Sequence, residues 1–257
     1  MSAAVARSVR SGEVARDSKL ADESQVARVD LAADLLQIGD HRRMDLEQAA
    51  SNYRRANQHS TNLVTVHRRA GHGGRGRRIE EVSINRAIVV ITVATWQALV
   101  QDLTKACLDQ AAPLPGDPFL PTYRVIVGGV QQRIGGFSTP NAQNSRKLLQ
   151  EVGFDPRPHW TWKQSGGQGH GRITLQPAEV ETKLDQWLKV RHAIAHGHEY
   201  LPTVEVLQAV RSARSAPTDP SLNLTDAIQC GHFFNRLVTH TGDALAAHLG
   251  VTPTTWK

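Results

Sequence analysis

One stretch of the chain combines a fixed positive charge with two groups that exchange protons near neutral pH. It reads Arg191-His192-Ala193-Ile194-Ala195-His196-Gly197. A guanidinium stays charged at any working pH and matches the geometry of phosphate, whereas an imidazole takes or gives a proton near neutrality. Side chains of these two types, placed together, are suited to breaking a phosphodiester bond.

A helix is the element that must position these side chains. The pair Gln176-Pro177 predicts its start, because proline is favoured in the first helical turn, and Gly197 predicts its end. At about 100° per residue, an apolar arc forms along one face. Its members are Val180, Leu184, Trp187, Leu188, Ile194 and Ala195. Arg191 falls near the centre of this arc, and since charged groups are seldom buried unpaired, we expect it to meet a carboxylate, a cleft or a bound anion.

Two other interpretations of the motif stay open. The last turn of a helix favours basic side chains because its carbonyl groups carry partial negative charge, so Arg191 and the histidines are also compatible with a structural role. Alternatively, His192, His196 and His198 are spaced to share a zinc ion. Ala193 disfavours zinc, because it stands where a zinc-peptidase motif has glutamate, and we assign no metal or other cofactor.

Composition favours a soluble protein with a polyanionic partner. The 257 residues carry a formal net charge of +6, and 40% of them are hydrophobic, which is enough for a core. Cys107 and Cys230 are the only cysteines, so a disulfide framework is excluded and a reducing compartment fits. Residues 1–28 lack the apolar core of a signal peptide, and the apolar run 87–96 is too short to cross a bilayer. We therefore expect a cytoplasmic protein that does not bind membranes.

The hydrophobic pattern predicts an all-α protein with a tail. Residues 1–35 are expected to be a disordered tail, and 36–257 a helical domain. Apolar periodicity predicts helices over 45–66 and 83–112, and Asn223 predicts the cap of a last helix that ends near 249. The segment 114–175 is glycine-rich and predicts an irregular insertion, which contains a short helix before Gly153 and an anchored turn or strand at Trp160 and Trp162.

A basic stretch predicts contact with a nucleic-acid backbone. Residues 54–78 contain seven arginines and no acidic residue, and their glycine-rich end is typical of a loop. The candidate RNA-binding residues are Arg68, Arg69, Arg75, Arg77 and Arg78. A solvated loop without a partner is the alternative. Residues 71–76 also match a dinucleotide-binding pattern, but the hydrophobic strand that such a loop needs is missing before it.

These features together resemble the HEPN superfamily. Its signature is an arginine, four to six residues and a histidine, which Arg191 and His196 match, and His192 fills a position that is usually polar. Trp96 in the apolar helix, the turn 138–141 and the tryptophans before the motif helix resemble the RiboL-PSP-HEPN branch in particular. The resemblance spans roughly residues 40–249 and rests on about a dozen positions.

The resemblance implies a fold, an activity and partners. The fold would be an antiparallel helical bundle with the irregular insertion between the second and the motif-bearing core helices. The activity would be metal-independent cleavage of RNA, in which His196 moves a proton, Arg191 stabilises the charge on the phosphate, and His192 orients the pair or binds phosphate. The setting would be a toxin or defence system, with a homodimer and an antitoxin or other partner protein.

One position departs from the pattern of the family. Relatives often carry a Trp-Glu pair in the second helix, whereas this chain has Trp96-Gln97. If that carboxylate normally pairs with the arginine, Arg191 needs another partner, for which Asp102 is a candidate. A noncatalytic module that binds RNA or a protein is therefore the alternative function.

Overall fold

The computed structural model describes residues 43–70, 79–165, 171–215 and 217–256. The tail expected at 1–35 and the candidate contacts Arg75, Arg77 and Arg78 lie outside the described residues. The compact unit begins at Met44.

The described residues form an all-α structure with one small β-hairpin, and 68% of them are helical. The α-helices are α1 (Leu46–Ala70), α2 (Ile79–Gln110), α3 (Leu120–Gly136), α4 (Ala142–Gln150), α5 (Pro177–Ala195), α6 (Gln208–Arg211) and α7 (Leu224–Leu249), with a 3-10 turn at Arg157–His159. Strands β1 (Trp162–Ser165) and β2 (Arg172–Leu175) pair antiparallel, with Trp162 opposite Leu175. The predicted all-α class is confirmed.

Helix α3 corrects the expectation of an irregular segment. Glycine pairs at 128–129 and 135–136 suggested chain breaks, but all four glycines lie within a helix of 17 residues. A glycine inside a helix costs only about 1 kcal/mol, and burial of Val130 and Ile134 against the core offsets that cost. The predicted short helix is confirmed as α4, with the Asn141 side chain accepting a hydrogen bond from the Asn144 N–H.

Helix α2 is the centre of the bundle and packs against α1, α3, α4, α5 and α7. Helix α1 runs antiparallel to it, because the Asn52 amide donates to Asp102 over 2.9 Å while the Met44 N–H donates to Asp109 over 2.6 Å. Helix α7 runs parallel to α2. The Trp96 and Phe234 rings lie 6.3 Å apart, and further along both helices Ala106 and Leu249 line the same cavity.

Helix α5 runs antiparallel to both α2 and α7. Near the start of α5, Glu181 accepts a hydrogen bond from Arg157. Trp160 follows Arg157 by three residues, and its indole N–H donates to Thr241 in the second half of α7. Past the middle of α5, Gln186 accepts from the Val206 N–H, and the following Gln208 N–H donates to Asp226 at the start of α7. The end of α5 therefore lies beside the first halves of α7 and α2.

Helix α2 is also long and apolar enough to cross a membrane by length and composition. Its most apolar window lies within Glu80–Gln110, has a mean hydropathy of 1.4 and is 56% buried inside the protein. The core helix of a soluble protein passes the same test, and α2 packs against five other helices. The feature is accordingly weak support for a membrane span.

The C-terminal segment depends on the lack of a side chain at Gly242. A Cβ there would overlap the Trp256 indole, which is buried and donates to Asp243 over 3.1 Å. Gly242→Ala should lower the free energy of unfolding by about 1–3 kcal/mol, as overpacking does. Gly231→Ala in the same helix meets no atom within 4 Å and should raise it by up to about 1 kcal/mol. Urea denaturation measures both, and equal effects would contradict this role of Trp256.

Candidate functional site at the end of helix α5

The start of α5 is fixed by a capping box and an ion-pair cluster. The Gln176 N–H donates to the Glu179 carboxylate over 2.8 Å, and Pro177 occupies the first turn, as predicted. Arg146 pairs with both Asp155 and Glu181 at 3.0 Å. The Arg146 hydrogen bond lowers the pKa of Asp155 and outweighs the effect of its partial burial. This cluster ties α5 to α4 and sets the direction in which the motif points.

The end of α5 is closed by a Schellman motif. Gly197 has φ +66°, its N–H donates to the Ile194 carbonyl over 3.2 Å, and the His198 N–H reaches the Ala193 carbonyl over 2.9 Å. Glycine adopts this left-handed conformation without steric cost. The predicted helix end is confirmed, and it places His196 at the boundary between helix and loop.

Arg191 is half-buried and has no counter-charge. Its Nε atom is buried without a hydrogen-bond partner, and no described residue forms an ion pair with it. The prediction that Asp102 pairs with Arg191 is wrong, because the Asp102 carboxylate accepts a hydrogen bond from Asn52 over 2.9 Å and lies 3.5 Å from Lys105. Gln97 donates its amide to the Phe137 carbonyl over 2.8 Å. Gln97 therefore helps to satisfy the end of helix α3.

The two motif histidines differ in their surroundings. His192 is half-buried and His196 is exposed, and their ring centroids lie 5.9 Å apart in an edge-to-face arrangement. Burial lowers the pKa of His192, and the charges of Arg191 and His196 lower it further. His192 is accordingly held towards its neutral form, while His196 is open to solvent.

The zinc interpretation gains no support. Within the described part of the chain, no group of three or more histidine, cysteine or acidic side chains is placed to hold a metal ion. His198 stacks near His196 at 6.1 Å between ring centroids, but no further ligand completes a site there. The cysteines are both buried and unpaired, and burial raises the pKa of Cys107 to about 12.

The other candidate residues fall into two groups. Arg68 and Arg69 are exposed in the last turn of α1, which lies at the same end of the bundle as the start of α2 and the end of α5. Trp160 and Trp162 are buried, which confirms that they anchor the hairpin against the core.

Three polar residues of α2 were missed by sequence reasoning. The Asn85 Oδ1, Arg86 Nε and Thr92 Oγ1 atoms are buried without hydrogen-bond partners among the described residues. All three lie in the first half of α2, where Asn85 and Thr92 share one face and Arg86 lies about 100° round the helix from Asn85. The signal was a lone arginine in an apolar helix, the same signal that singled out Arg191.

Two surface cavities lie away from the motif. One, of about 390 Å³, is formed by the start of α1 and the C-terminal segment, and the other, of about 280 Å³, lies beside α4. Neither is lined by Arg191, His192 or His196. In the single chain, His196 is exposed, whereas Arg191 and His192 are half-buried.

No protein-family model, curated protein or solved structure matches this chain.

The structural role of Gln97 can be tested by restoring the carboxylate. Gln97→Glu removes the donor to the Phe137 carbonyl and places two acceptors together, so the free energy of unfolding should fall by about 1–3 kcal/mol at pH 7. Gln132→Glu on the exposed face of α3 is the control and should change it by less than about 0.5 kcal/mol. A gain in stability for Gln97→Glu would instead indicate pairing with an arginine.

The lowered pKa of His192 predicts a loss of stability on acidification. As the pH falls below 6.5, His192 takes up a proton in the unfolded state before it does so in the folded state. The free energy of unfolding therefore falls with pH until the pH reaches the lower pKa of His192 in the folded state. His192→Gln should remove this part of the pH dependence in urea titrations from pH 7.5 to 5. NMR titration of the wild-type imidazole should give a pKa below 6.5, and a higher value would contradict the prediction.

Proposed function

We propose that this protein is a metal-independent endoribonuclease of the HEPN type, with its site at the end of α5. The observation that carries the proposal is the state of Arg191, a half-buried guanidinium with no carboxylate partner among the described residues, five residues before the exposed His196. A cation held in this way is compensated by a bound anion such as phosphate. The toxin or defence setting belongs to the proposal through the family resemblance alone, and the cytoplasmic location through the composition of the chain.

The proposed reaction divides the work among three side chains. The ribose 2′-oxygen attacks the phosphorus, the bond to the 5′-oxygen breaks, and the products are a 2′,3′-cyclic phosphate and a 5′-hydroxyl. His196 takes the proton from the 2′-hydroxyl or gives one to the leaving oxygen, and Arg191 stabilises the charge on the phosphate. His192, held towards its neutral form, orients the pair or accepts a hydrogen bond from the substrate.

A homodimer is part of the proposal because His196 is exposed in the single chain. Chemistry on phosphate is favoured by excluding water. A second copy facing the end of α5 would cover the half-buried Arg191 and bring a second His196 to the site, so that one imidazole takes a proton while the other gives one.

A noncatalytic HEPN module is the second candidate, and Gln97 favours it. Where relatives often carry a carboxylate, this chain has an amide that binds the Phe137 carbonyl. Arg191 then has no internal group to orient it. Such a module would use the same end of α5 to bind RNA or a partner protein, such as an antitoxin, without cleavage.

Cleavage of RNA in the presence of EDTA distinguishes the candidates. The purified protein should release fragments with 2′,3′-cyclic phosphate ends, and His196→Ala should slow cleavage by about 10²–10⁴-fold, as expected for loss of a general acid or base. A substrate with 2′-deoxyribose throughout should not be cut. His232→Ala, at an exposed position in α7, is the matched control and should cleave like the wild type.

Three results would contradict the nuclease proposal. They are no cleavage by the wild type, cleavage that persists in His196→Ala, and cleavage that EDTA abolishes. The first, with RNA binding retained, would favour the noncatalytic module.

A further inference from the structure

Arg86 repeats the unusual state of Arg191 on the neighbouring helix. Its Nε atom is also buried without a hydrogen-bond partner, and it forms no ion pair with any described residue. Apart from the adjacent Asn85, its nearest neighbours in sequence are apolar, namely Ile84, Ala87, Ile88, Val89 and Val90. Burying the Nε–H of the half-buried Arg86 without a partner costs free energy, which a bound anion would offset.

The two arginines lie at the same end of the bundle. Helix α5 packs against α2 and runs antiparallel to it, so Arg191 near the end of α5 lies level with the first half of α2. Arg86 precedes Gln97 by about three helical turns and shares its face. That face points away from α1, because Gln97 binds Phe137 whereas Asp102 binds Asn52. Arg86 therefore lies on the side of α2 that meets α3 further along, at Gln97, and level with the end of α5.

The acidic residues near this end leave both cations unpaired. Glu80 and Glu81 begin α2, but neither forms an ion pair in the part of the chain that the structure describes. Glu199, three residues beyond His196, likewise forms no ion pair among the described residues. Asn85, only 5% exposed, adds a further polar group without a partner. A ligand with several negative charges matches this arrangement better than a single carboxylate.

We propose that Arg86 is a phosphate-binding residue, and that together with Arg191 it holds two backbone phosphates of one RNA strand. The proposal rests on RNA being the ligand of the α5 site, and it adds a residue from α2 that the Arg-x4-His motif does not contain. Arg191 serves the phosphate at which the proton transfers take place. Arg86 fixes the register of the strand through a second phosphate, so it contributes to binding rather than to proton transfer.

The salt dependence of RNA binding tests this assignment. The probe is a single-stranded 2′-O-methyl RNA of 12 nucleotides, which cannot be cleaved by 2′-oxygen attack, and binding is measured by fluorescence anisotropy at several salt concentrations. Loss of one phosphate contact should lower the slope of log K against log salt by about 0.7. We expect that change for Arg86→Met, with affinity about 10-fold lower, whereas Arg86→Lys should keep the wild-type slope.

Arg124→Met is the matched control for the loss of one positive charge. Arg124 is exposed on α3, and since α3 runs antiparallel to α2, it lies at the opposite end of the bundle. This variant should keep the wild-type slope. An unchanged slope in Arg86→Met, an equal loss in Arg124→Met, or no RNA binding by the wild type would each overturn the proposal.

Thermal unfolding separates a binding role from a structural one. In chloride buffer, removing an unpaired charge should leave the Tm of Arg86→Met equal to or above that of the wild type, because methionine keeps the apolar volume of the side chain. Inorganic phosphate at the same ionic strength should raise the Tm of the wild type more than that of Arg86→Met. If Arg86→Met unfolds at a clearly lower Tm in chloride than the wild type, or does not fold at all, Arg86 has a structural role and the proposal is overturned.

Failure of the nuclease proposal gives a different result. Suppose that Arg86→Met lowers the slope of log K against log salt for the 2′-O-methyl RNA, yet the wild type cleaves no natural RNA in EDTA. Arg86 would then be supported as a phosphate-binding residue, and the catalytic role of His196 would be contradicted.

Discussion

The need to cover helix α2 governs the arrangement of the other helices. Its 32 residues carry apolar side chains around much of the circumference, so water must be excluded on several sides at once. Helices α1, α3, α4, α5 and α7 all pack on it. Trp96, which is fully buried, shows the consequence, because its ring meets Phe234 of α7 while its indole N–H donates to Ser145 of α4 over 3.3 Å.

Polar contacts at the helix ends turn this burial into one defined arrangement. Hydrophobic packing is not directional, whereas hydrogen bonds and ion pairs at fixed points set helix direction and level. Arg146 and Glu181 fix the start of α5, and Asp226 holds the segment that leads into α7. Burial raises the pKa of Asp226, while the N–H groups of Gln208 and Asn223 act in the opposite direction. These contacts bring the ends of α5 and α2 together.

The same end of the bundle is where local polar groups stay unsatisfied. Elsewhere in the described residues, the Trp162 indole N–H is also buried without a partner, whereas the half-buried Arg157 pairs with Glu181 at 2.9 Å. Arg86 and Arg191 do not, and Asn85 and Thr92 add buried oxygen atoms without donors. Such groups lower stability in the free chain. The two arginines without a counter-charge at this end of the bundle, beside the exposed His196, are the physical reason for expecting an anionic ligand there.

The sequence by itself determined several helix boundaries and the position of the Arg191 motif. Proline, asparagine and glycine signals at Pro177, Asn223 and Gly197 act within one or two turns, so the ends of α5 and α7 could be predicted, as could the place of Arg191 in an apolar arc. Only the tertiary structure decided that α3 tolerates its glycines and that Gln97 donates a hydrogen bond to Phe137 at the end of α3. It also decided that the Nε atom of Arg86, like that of Arg191, is buried without a hydrogen-bond partner. Those outcomes depend on which distant segment approaches each side chain, and local periodicity carries no information about that.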